Sequence, residues 1–214
     1  VLDELVAAKD RYKLLLCTGG GTRARHIYAV ASELELPTGV LAALGGYVPR
    51  QNARMVQMLL AKHGGIYIMN DDFEKLPLYF RLGCIPIMTG MPPFGYWEKA
   101  AEGSRIPQNR TDAGVFLTAE VLGAKRALFI KDEDGLFTSD PKKDPTAKHI
   151  PRITVEELIA RDLDDLVVER VVLEYMKRAR YCTELQIVNG LRPGQVTAAL
   201  AGEDVGTIIT RDAR

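Results

Sequence analysis

Short apolar segments alternate with amphipathic helical patterns along most of this chain, and this alternation constrains its fold more than any other feature. Most of the apolar segments are apolar throughout rather than at every second position. Strands of this composition are covered on both faces, as they are in parallel sheets flanked by helices. The pattern predicts strands at residues 13–17, 66–69, 84–88, 126–130, 185–188 and 206–210.

The segments between these strands carry apolar residues at helical spacing. At the start of one of them, Thr154 and Glu157 form a capping box, which satisfies backbone N–H groups at a helix start. Strands that alternate with helices in this way predict an α/β fold with a mostly parallel central sheet. A chain of 214 residues can bury one full core, so we expect a single domain over residues 1–214. The predicted helices cover residues 22–34, 50–63, 111–122, 154–160 and 168–179.

Charge and composition argue against several classes of partner. Lys plus Arg and Asp plus Glu both number 28, so no net field attracts nucleic acid or an anionic membrane. No apolar run approaches the roughly 20 residues needed to span a bilayer. The three cysteines are far apart and lack CxxC spacing, which indicates reduced thiols rather than disulfides or a zinc site. We therefore expect a cytoplasmic protein with neither nucleic-acid nor membrane partners.

Three consecutive glycines, Gly19, Gly20 and Gly21, follow the first predicted strand and open a predicted helix. Free backbone N–H groups and the positive end of the helix dipole meet at such a turn and can bind an anion. Arg23 and Arg25 lie in the first helical turn, where positive charge is unfavourable unless an anion joins it. The residues alone leave two interpretations open, an anion site or a tight turn with solvated arginines.

A second candidate site begins where the fourth predicted strand ends. Lys131 lies at the carboxyl end of that strand, the edge at which parallel sheets bind ligands. The segment KDEDGLFTSDP that it opens offers carboxylates and hydroxyls to a ribose or a base. An ordinary hairpin turn at Asp134 and Gly135 is the alternative interpretation. Thr111 and Asp112 are candidate N-cap residues of the helix that precedes this strand.

Taken in order, these motifs resemble the amino acid kinase superfamily, which includes uridylate kinase, aspartokinase and acetylglutamate kinase. The run KDEDGLFTSDP is similar to the family's nucleotide-binding pattern K-x-x-D-G-x-[YF]-x-x-D-P. The resemblance implies a three-layer αβα sandwich that binds ATP, with Mg²⁺ bridging the phosphates. The other similar runs are TGGGTRARH, PTGVLAALGG, RTDAGVFLTAEVLGAK, LQIVNG and GEDVGTII.

Within the superfamily, the chain resembles the molybdenum and tungsten storage proteins, and their β-type subunits in particular. The runs GMPPFGYW and IPQNRTDAG carry this resemblance, whereas a uridylate kinase is expected to have Asn in place of Thr22. It implies ATP-linked storage of molybdate or tungstate as polynuclear oxide clusters inside a hexameric cage. The chain has no His at 94–97, where α-type subunits have a histidine-rich stretch. We therefore expect a homo-hexamer, or a hetero-hexamer with a histidine-bearing α-type subunit.

The resemblance implies roles for the residues that match the family's motifs. Asp112 matches the aspartate that organises the lysines around the transferring phosphoryl group, and Lys131 matches the lysine near the β- and γ-phosphates. His26 and Gln51 are candidate contacts to a stored metal oxide, with solvent exposure as the alternative for His26. The resemblance also implies that the glycine loop faces the phosphoryl acceptor or the storage cavity. The implied nucleotide-binding residues are Gly19, Gly20, Gly21, Thr22, Arg23, Thr111, Asp132, Asp134, Gly135, Phe137, Asp140 and Pro141.

One departure from the family pattern bears on catalysis. The family's first strand ends in a K-x-G-G loop that cradles the ATP phosphates, and this sequence begins after the place where that loop would lie. We therefore expect the first strand to be missing from the chain, which would leave its neighbours with unpaired backbone groups. Whether ATP is hydrolysed stays open. The alternatives to storage are a uridylate-type nucleoside-monophosphate kinase and a catalytically inactive nucleotide-binding subunit.

Overall fold

The structure, a computed structural model, describes residues 1–163 and 166–212 and divides into two compact units. The N-terminal unit is Lys9–Val115, and the C-terminal unit combines Val1–Ala8 with Phe116–Arg214. Short 3₁₀ helices cover Ala61–His63, Asn70–Lys75 and Gly95–Trp97. In chain order the other elements are α1 (Leu2–Ala8), β1 (Leu16–Thr18), α2 (Gly21–Glu33), α3 (Thr38–Leu60), β2 (Gly65–Tyr67), α4 (Leu76–Arg81), β3 (Ile85–Thr89), α5 (Thr111–Val121), β4 (Ala127–Lys131), β5 (Leu136–Phe137), β6 (His149–Ile150), β7 (Arg152–Thr154), α6 (Val155–Arg161), α7 (Arg170–Arg178), β8 (Glu184–Asn189), α8 (Gln195–Ala201) and β9 (Thr207–Thr210).

Three short parallel strands form the sheet of the N-terminal unit, in the order β1–β3–β2. The central strand β3 is buried at four of its five positions, which explains its apolar sequence. Ile68, Leu76 and Met88 form one buried cluster of this unit. A second cluster, between α2 and α3, includes Tyr28 and Leu41. This packing sets the position of α2 and therefore of the glycine turn at its start.

Helix α3 contains three glycines and a proline, residue types that usually interrupt a helix. The predicted start at residue 50 is wrong, since the helix begins at Thr38. A Cβ on Gly45 would overlap the Tyr28 ring, so glycine is what lets α2 and α3 approach. Pro49 lies inside the helix, and its carbonyl accepts a hydrogen bond from Thr18 Oγ1 at 2.7 Å. Packing and this hydrogen bond outweigh the low helix propensity of glycine and proline.

The C-terminal unit contains a four-stranded sheet in the order β4–β8–β9–β7. The pairs β4–β8 and β7–β9 are parallel, and β8–β9 is antiparallel. Strand β8 is buried at five of its six positions, next to β4. Strands β5 and β6 form a separate antiparallel pair. Since β5 pairs with β6 and not with β4, the turn at Asp134 and Gly135 is not a β4–β5 hairpin, and the alternative interpretation of this turn is wrong.

The predicted α/β fold with mostly parallel strands is confirmed. Over residues 1–163 and 166–212, four of the five strand pairs in the two larger sheets are parallel. The six predicted strands are present, with ends shifted by up to three residues. The short helix α4 was not predicted. None of the helices in these described ranges has the length and apolar character needed to cross a membrane.

Candidate functional site

The glycine turn of the N-terminal unit leaves backbone N–H groups available at the start of α2. Gly20 is the N-cap residue and has no side chain that could accept from the first turn. It is also buried against Ala24, where a Cβ would overlap. Gly21 has a φ of +58°, in the left-handed region that favours glycine. The first-turn N–H groups of a helix have no partner within the helix, so here they face water or a ligand.

Arg23, exposed in the first turn of α2, is held by two neutral side chains of α3. Its Nη1 donates to Gln51 Oε1 at 2.9 Å, and its Nη2 donates to Asn52 Oδ1. Asn52 Nδ2 donates to the Gly19 carbonyl at 2.6 Å, which ties the glycine turn to the same helix. Because both acceptors of Arg23 are uncharged amides, they fix the guanidinium without neutralising its charge. Arg23 and Gln51 were predicted to be site residues. The role of Asn52, which joins Arg23 to the Gly19 carbonyl, was not predicted, because its residue type alone gives no signal.

The start of α5 lies beside the glycine turn. A Cβ placed on Gly19 would lie 3.6 Å from Thr111 Oγ1. Asp112 is half-buried in the same helical turn as Thr111. Further along α5, a Cβ on Gly114 would overlap the Gly90 carbonyl, so only glycine fits between this helix and the loop after β3. The structure therefore places Thr111 beside the glycine turn. The nucleotide-binding role of Thr111 and the organising role of Asp112 stay predictions.

A small pocket of about 90 Å³, partly open to solvent, is built from the predicted nucleotide segment in the C-terminal unit. Four predicted residues line it: Gly135, Phe137, Asp140 and Pro141. Four further lining residues were not predicted, although two of them lie at variable positions of the quoted motif and a third directly follows it. These four are Glu133, Ser139, Lys142 and Val167. Val167 is distant in the sequence and gave no signal.

Charged groups at this pocket are paired with each other. Lys142 Nζ forms an ion pair with Glu133 Oε1, and this hydrogen bond holds the pKa of Lys142 above its ordinary value. The backbone N–H of Lys142 donates to Asp140 Oδ1 at 2.9 Å and holds the pKa of the Asp140 carboxyl below its usual range. Asp140 is therefore ionised at neutral pH and can accept hydrogen bonds from hydroxyl groups such as those of a ribose.

Asp134 is not among the residues that line this pocket. Its carboxylate accepts a hydrogen bond from Asn189 Nδ2 at 2.8 Å and forms an ion pair with Arg192. Lys131 is the last residue of β4, with its Nζ 5.8 Å from the centroid of the Phe129 ring. Asp132 follows it and is exposed. The nucleotide roles of Lys131, Asp132 and Asp134 stay predictions.

The two candidate contacts to a metal oxide are both in the N-terminal unit. His26 is exposed on α2, and the amide oxygen of Gln51 accepts from Arg23. In the part of the chain that the structure describes, no group of three or more His, Cys, Asp and Glu side chains is arranged to hold a metal ion. The glycine turn instead presents N–H groups and a guanidinium, which suit an oxoanion better than a bare cation.

Comparison with known proteins gives the family of this chain and its similarity to several relatives. The model of the amino acid kinase family matches residues 1–188. The chain is 49% identical over 210 residues to the molybdenum storage protein subunit beta of Azotobacter vinelandii, covering 98% of this chain and 78% of that protein. It is 27% identical to a uridylate kinase of Thermococcus kodakarensis, covering 96% of this chain and 87% of that enzyme. Among solved structures, the UMP kinase of Bacillus anthracis has a TM-score of 0.77 at 21% identity, covering 99% of this chain and 85% of that one, a likeness that establishes the fold alone.

Proposed function

We propose that this chain, which belongs to the amino acid kinase family, stores molybdate in an oligomeric assembly rather than phosphorylating a nucleotide. The observation that carries the proposal is the similarity to a molybdenum storage subunit, at 49% identity over nearly the whole chain. The similar uridylate kinases share a much lower identity with this chain, 25–30%. Tungstate has the same charge and shape as molybdate, so we include it as cargo.

The geometry of the glycine turn supports an oxoanion as the cargo. Molybdate is a tetrahedral dianion, and first-turn N–H groups with a neighbouring guanidinium are suitable donors for it. Arg23 keeps its positive charge because its acceptors, Gln51 and Asn52, are amides. His26 would then meet the growing metal oxide from the exposed face of α2. A phosphate group would find the same donors, which is why assays rather than geometry must separate storage from kinase activity.

The pocket of the C-terminal unit supports ATP as the cofactor. Phe137 and Pro141 offer apolar surface to a base, and the ionised Asp140 can accept from ribose hydroxyls. Lys131 would stabilise phosphate charge, and Asp112 would orient the phosphoryl group, as the family resemblance implies. Mg²⁺ would take its ligands from phosphate oxygens and water, as this hard cation does with nucleotides. Bound ATP would supply the free energy for loading the oxoanion.

The similarity to one subunit of a larger protein supports an oligomeric assembly. That protein is a subunit beta, so we expect this chain to assemble with an α-type subunit that supplies histidines, or with further copies of itself. A hexamer in the cytoplasm is the arrangement that the family resemblance implies.

A test of this proposal compares two activities on the same purified oligomer. Retention of molybdate after gel filtration is measured with and without MgATP, and ADP formation is measured with UMP as acceptor. Lys131→Met removes the proposed phosphate-binding charge, and Lys125→Met, which removes an exposed lysine just before β4, is the matched control. We expect ATP-dependent retention by the wild type and Lys125→Met, and loss of the ATP dependence in Lys131→Met.

Two results would contradict the proposal. UMP-dependent ADP formation without molybdate retention would establish the kinase alternative. Binding of ATP with neither activity would establish an inactive nucleotide-binding subunit.

A further inference from the structure

The proposed nucleotide segment contains three acids in a row, Asp132, Glu133 and Asp134. ATP carries several negative charges, and unpaired carboxylates near its site would repel it. The structure pairs two of these acids with cations. Glu133 pairs with Lys142 inside the segment, whereas Asp134 pairs with Arg192, which comes from a distant part of the chain.

The partners of Asp134 are Asn189, the last residue of β8, and Arg192 of the turn that follows it. Asn189 is only 8% exposed, and its Nδ2 donates to Asp134 Oδ1 at 2.8 Å. Its Oδ1 accepts from the Leu191 N–H at 2.8 Å, so both ends of the amide are engaged and its orientation is fixed. The next residue, Gly190, donates its N–H to the Lys131 carbonyl at 2.8 Å. The turn therefore holds the nucleotide segment at two points, Lys131 and Asp134.

We propose that Arg192 is a positioning residue of the nucleotide site that acts through Asp134: it cancels the charge of this carboxylate and, with Asn189, directs it away from the pocket. The inference rests on the proposed function, because it assumes that the anionic ligand of this pocket is a nucleotide. The neighbours of Asp134, Glu133 and Gly135, both line the pocket, whereas Asp134 does not. Arg192 therefore allows the nucleotide segment to include Asp134 without exposing the negative charge of its carboxylate to the nucleotide.

A purely structural role of Arg192 and the proposed electrostatic role predict different effects when this side chain is removed. The Arg192 and Asp134 side chains are 60% and 34% exposed, and ion pairs this exposed contribute little to folding stability. Loss of Arg192 should therefore leave thermal unfolding nearly unchanged. It should, however, leave an uncompensated negative charge in the nucleotide segment, and salt should screen the effect of that charge.

The test measures MgATP affinity by calorimetry on the assembled protein, at low and at high salt, together with thermal unfolding without nucleotide. The variants are Arg192→Met, Asp134→Asn and the double variant. Arg161→Met is the matched control, because Arg161 belongs to an exposed ion pair with Glu157 at 2.6 Å that does not line the pocket.

For Arg192→Met we expect a loss of about five- to tenfold in ATP affinity at low salt and a smaller loss at high salt. The double variant should return to within about twofold of the wild type, since it carries no unpaired charge at position 134. Asp134→Asn alone should bind at least as tightly as the wild type, because its amide oxygen can still accept from Asn189. The family resemblance instead implies a direct nucleotide contact by Asp134, so weaker binding by Asp134→Asn would overturn the inference. Arg161→Met should bind as the wild type does.

Equal affinity in Arg192→Met and the wild type, or a double variant as weak as Arg192→Met, would overturn the inference. A wild type that binds no ATP at either salt concentration would overturn it too. Molybdate retention, measured on the same samples, decides the proposed function separately. If the wild type retains molybdate but Arg192→Met binds ATP as tightly as the wild type, the storage function stands and this inference fails. If the ATP affinities are as expected but no molybdate is retained, this inference stands and the storage function fails.

Discussion

At the scale of single residues, the glycine turn shows how a positive side chain is kept in an unfavourable place. A positive charge in the first turn of a helix opposes the helix dipole. Arg23 has that position in α2 and is fixed there by the amides of Gln51 and Asn52 rather than by a carboxylate. The arrangement leaves a positive charge beside free N–H groups, which is the condition for binding an anion.

The variant Gln51→Glu tests this charge directly. Glutamate has the same shape and can still accept from Arg23, but it neutralises the guanidinium. We expect thermal stability to be unchanged or raised by at most about 1 kcal/mol, the usual contribution of an exposed ion pair. Molybdate retention should fall, because the anion loses a cationic partner; elemental analysis after gel filtration measures it.

Gln51→Leu is the control, since it removes the hydrogen bond from Arg23, which Gln51→Glu keeps, and adds no charge. We expect Gln51→Leu to retain more molybdate than Gln51→Glu. The opposite order, or full retention by Gln51→Glu, would mean that the charge of Arg23 has no part in binding.

At the scale of elements, α3 carries much of the N-terminal unit. It packs against α2 through Gly45, supports β1 through the Pro49 carbonyl, and presents Gln51 and Asn52 to the glycine turn. One helix therefore contacts α2, β1 and the candidate site.

Substitution by alanine should have different effects on the free energy of unfolding at two adjacent glycines of α3. A Cβ on Gly45 would overlap the Tyr28 ring, so Gly45→Ala should lower the free energy of unfolding by about 1–3 kcal/mol through overpacking. A Cβ on Gly46 would meet Met91 Cγ at 3.7 Å, an ordinary contact. Gly46→Ala should therefore be neutral or stabilise by up to about 1 kcal/mol, because alanine favours the helix. Denaturant unfolding measures both, and equal effects would contradict the close packing of α2 on α3.

In the C-terminal unit, Glu120 on α5 anchors the turn before β8. Its carboxylate accepts from the backbone N–H groups of Arg180, Tyr181 and Cys182 at 2.7–3.2 Å. Partial burial acts to raise the pKa of Glu120, but these three donors outweigh it and hold the pKa below its ordinary value. A lowered pKa in the folded state means that this stabilisation is present above the unfolded pKa and is lost as the pH falls through the folded one.

Glu120→Gln should therefore destabilise the protein by about 1–2 kcal/mol at neutral pH, since amide acceptors bond more weakly than a carboxylate. The difference from the wild type should shrink as the pH falls below the ordinary pKa of a glutamate, and it should disappear at the lower pH at which the carboxyl of the folded wild type is itself protonated. Thermal unfolding across that pH range measures it. A difference that stays constant with pH would show that the charge of Glu120 is not what the three N–H groups require.

The sequence predicted the elements better than it predicted their contacts. Apolar strands and the Thr154 cap have local signals, and the structure has the strands and one half of the capping box. Thr154 Oγ1 accepts from the Glu157 N–H at 3.1 Å, whereas the Glu157 carboxylate accepts from Arg161. The early start of α3 could not be predicted, because Gly45 and Pro49 act as breakers unless Tyr28 and Thr18 are already in place. The partners of Asp134 could not be predicted either. Asn189 and Arg192 are more than fifty residues away, and only the parallel pairing of β4 with β8 brings the two segments together.

At the scale of the whole molecule, each compact unit carries one candidate site. The N-terminal unit contains the glycine turn with Arg23, and the C-terminal unit contains the pocket lined by Phe137 and Asp140. The proposed storage function assigns the oxoanion to the first and ATP to the second. It therefore requires that nucleotide binding and metal loading be coupled in the assembled protein.

The most direct measurement is the molybdenum content of the oligomer. The protein is incubated with molybdate in the presence and in the absence of MgATP, passed through gel filtration to remove free anion, and subjected to elemental analysis. The storage account predicts many molybdenum atoms per chain, and only in the sample that received MgATP. Equal and trace amounts of molybdenum in both samples would contradict it.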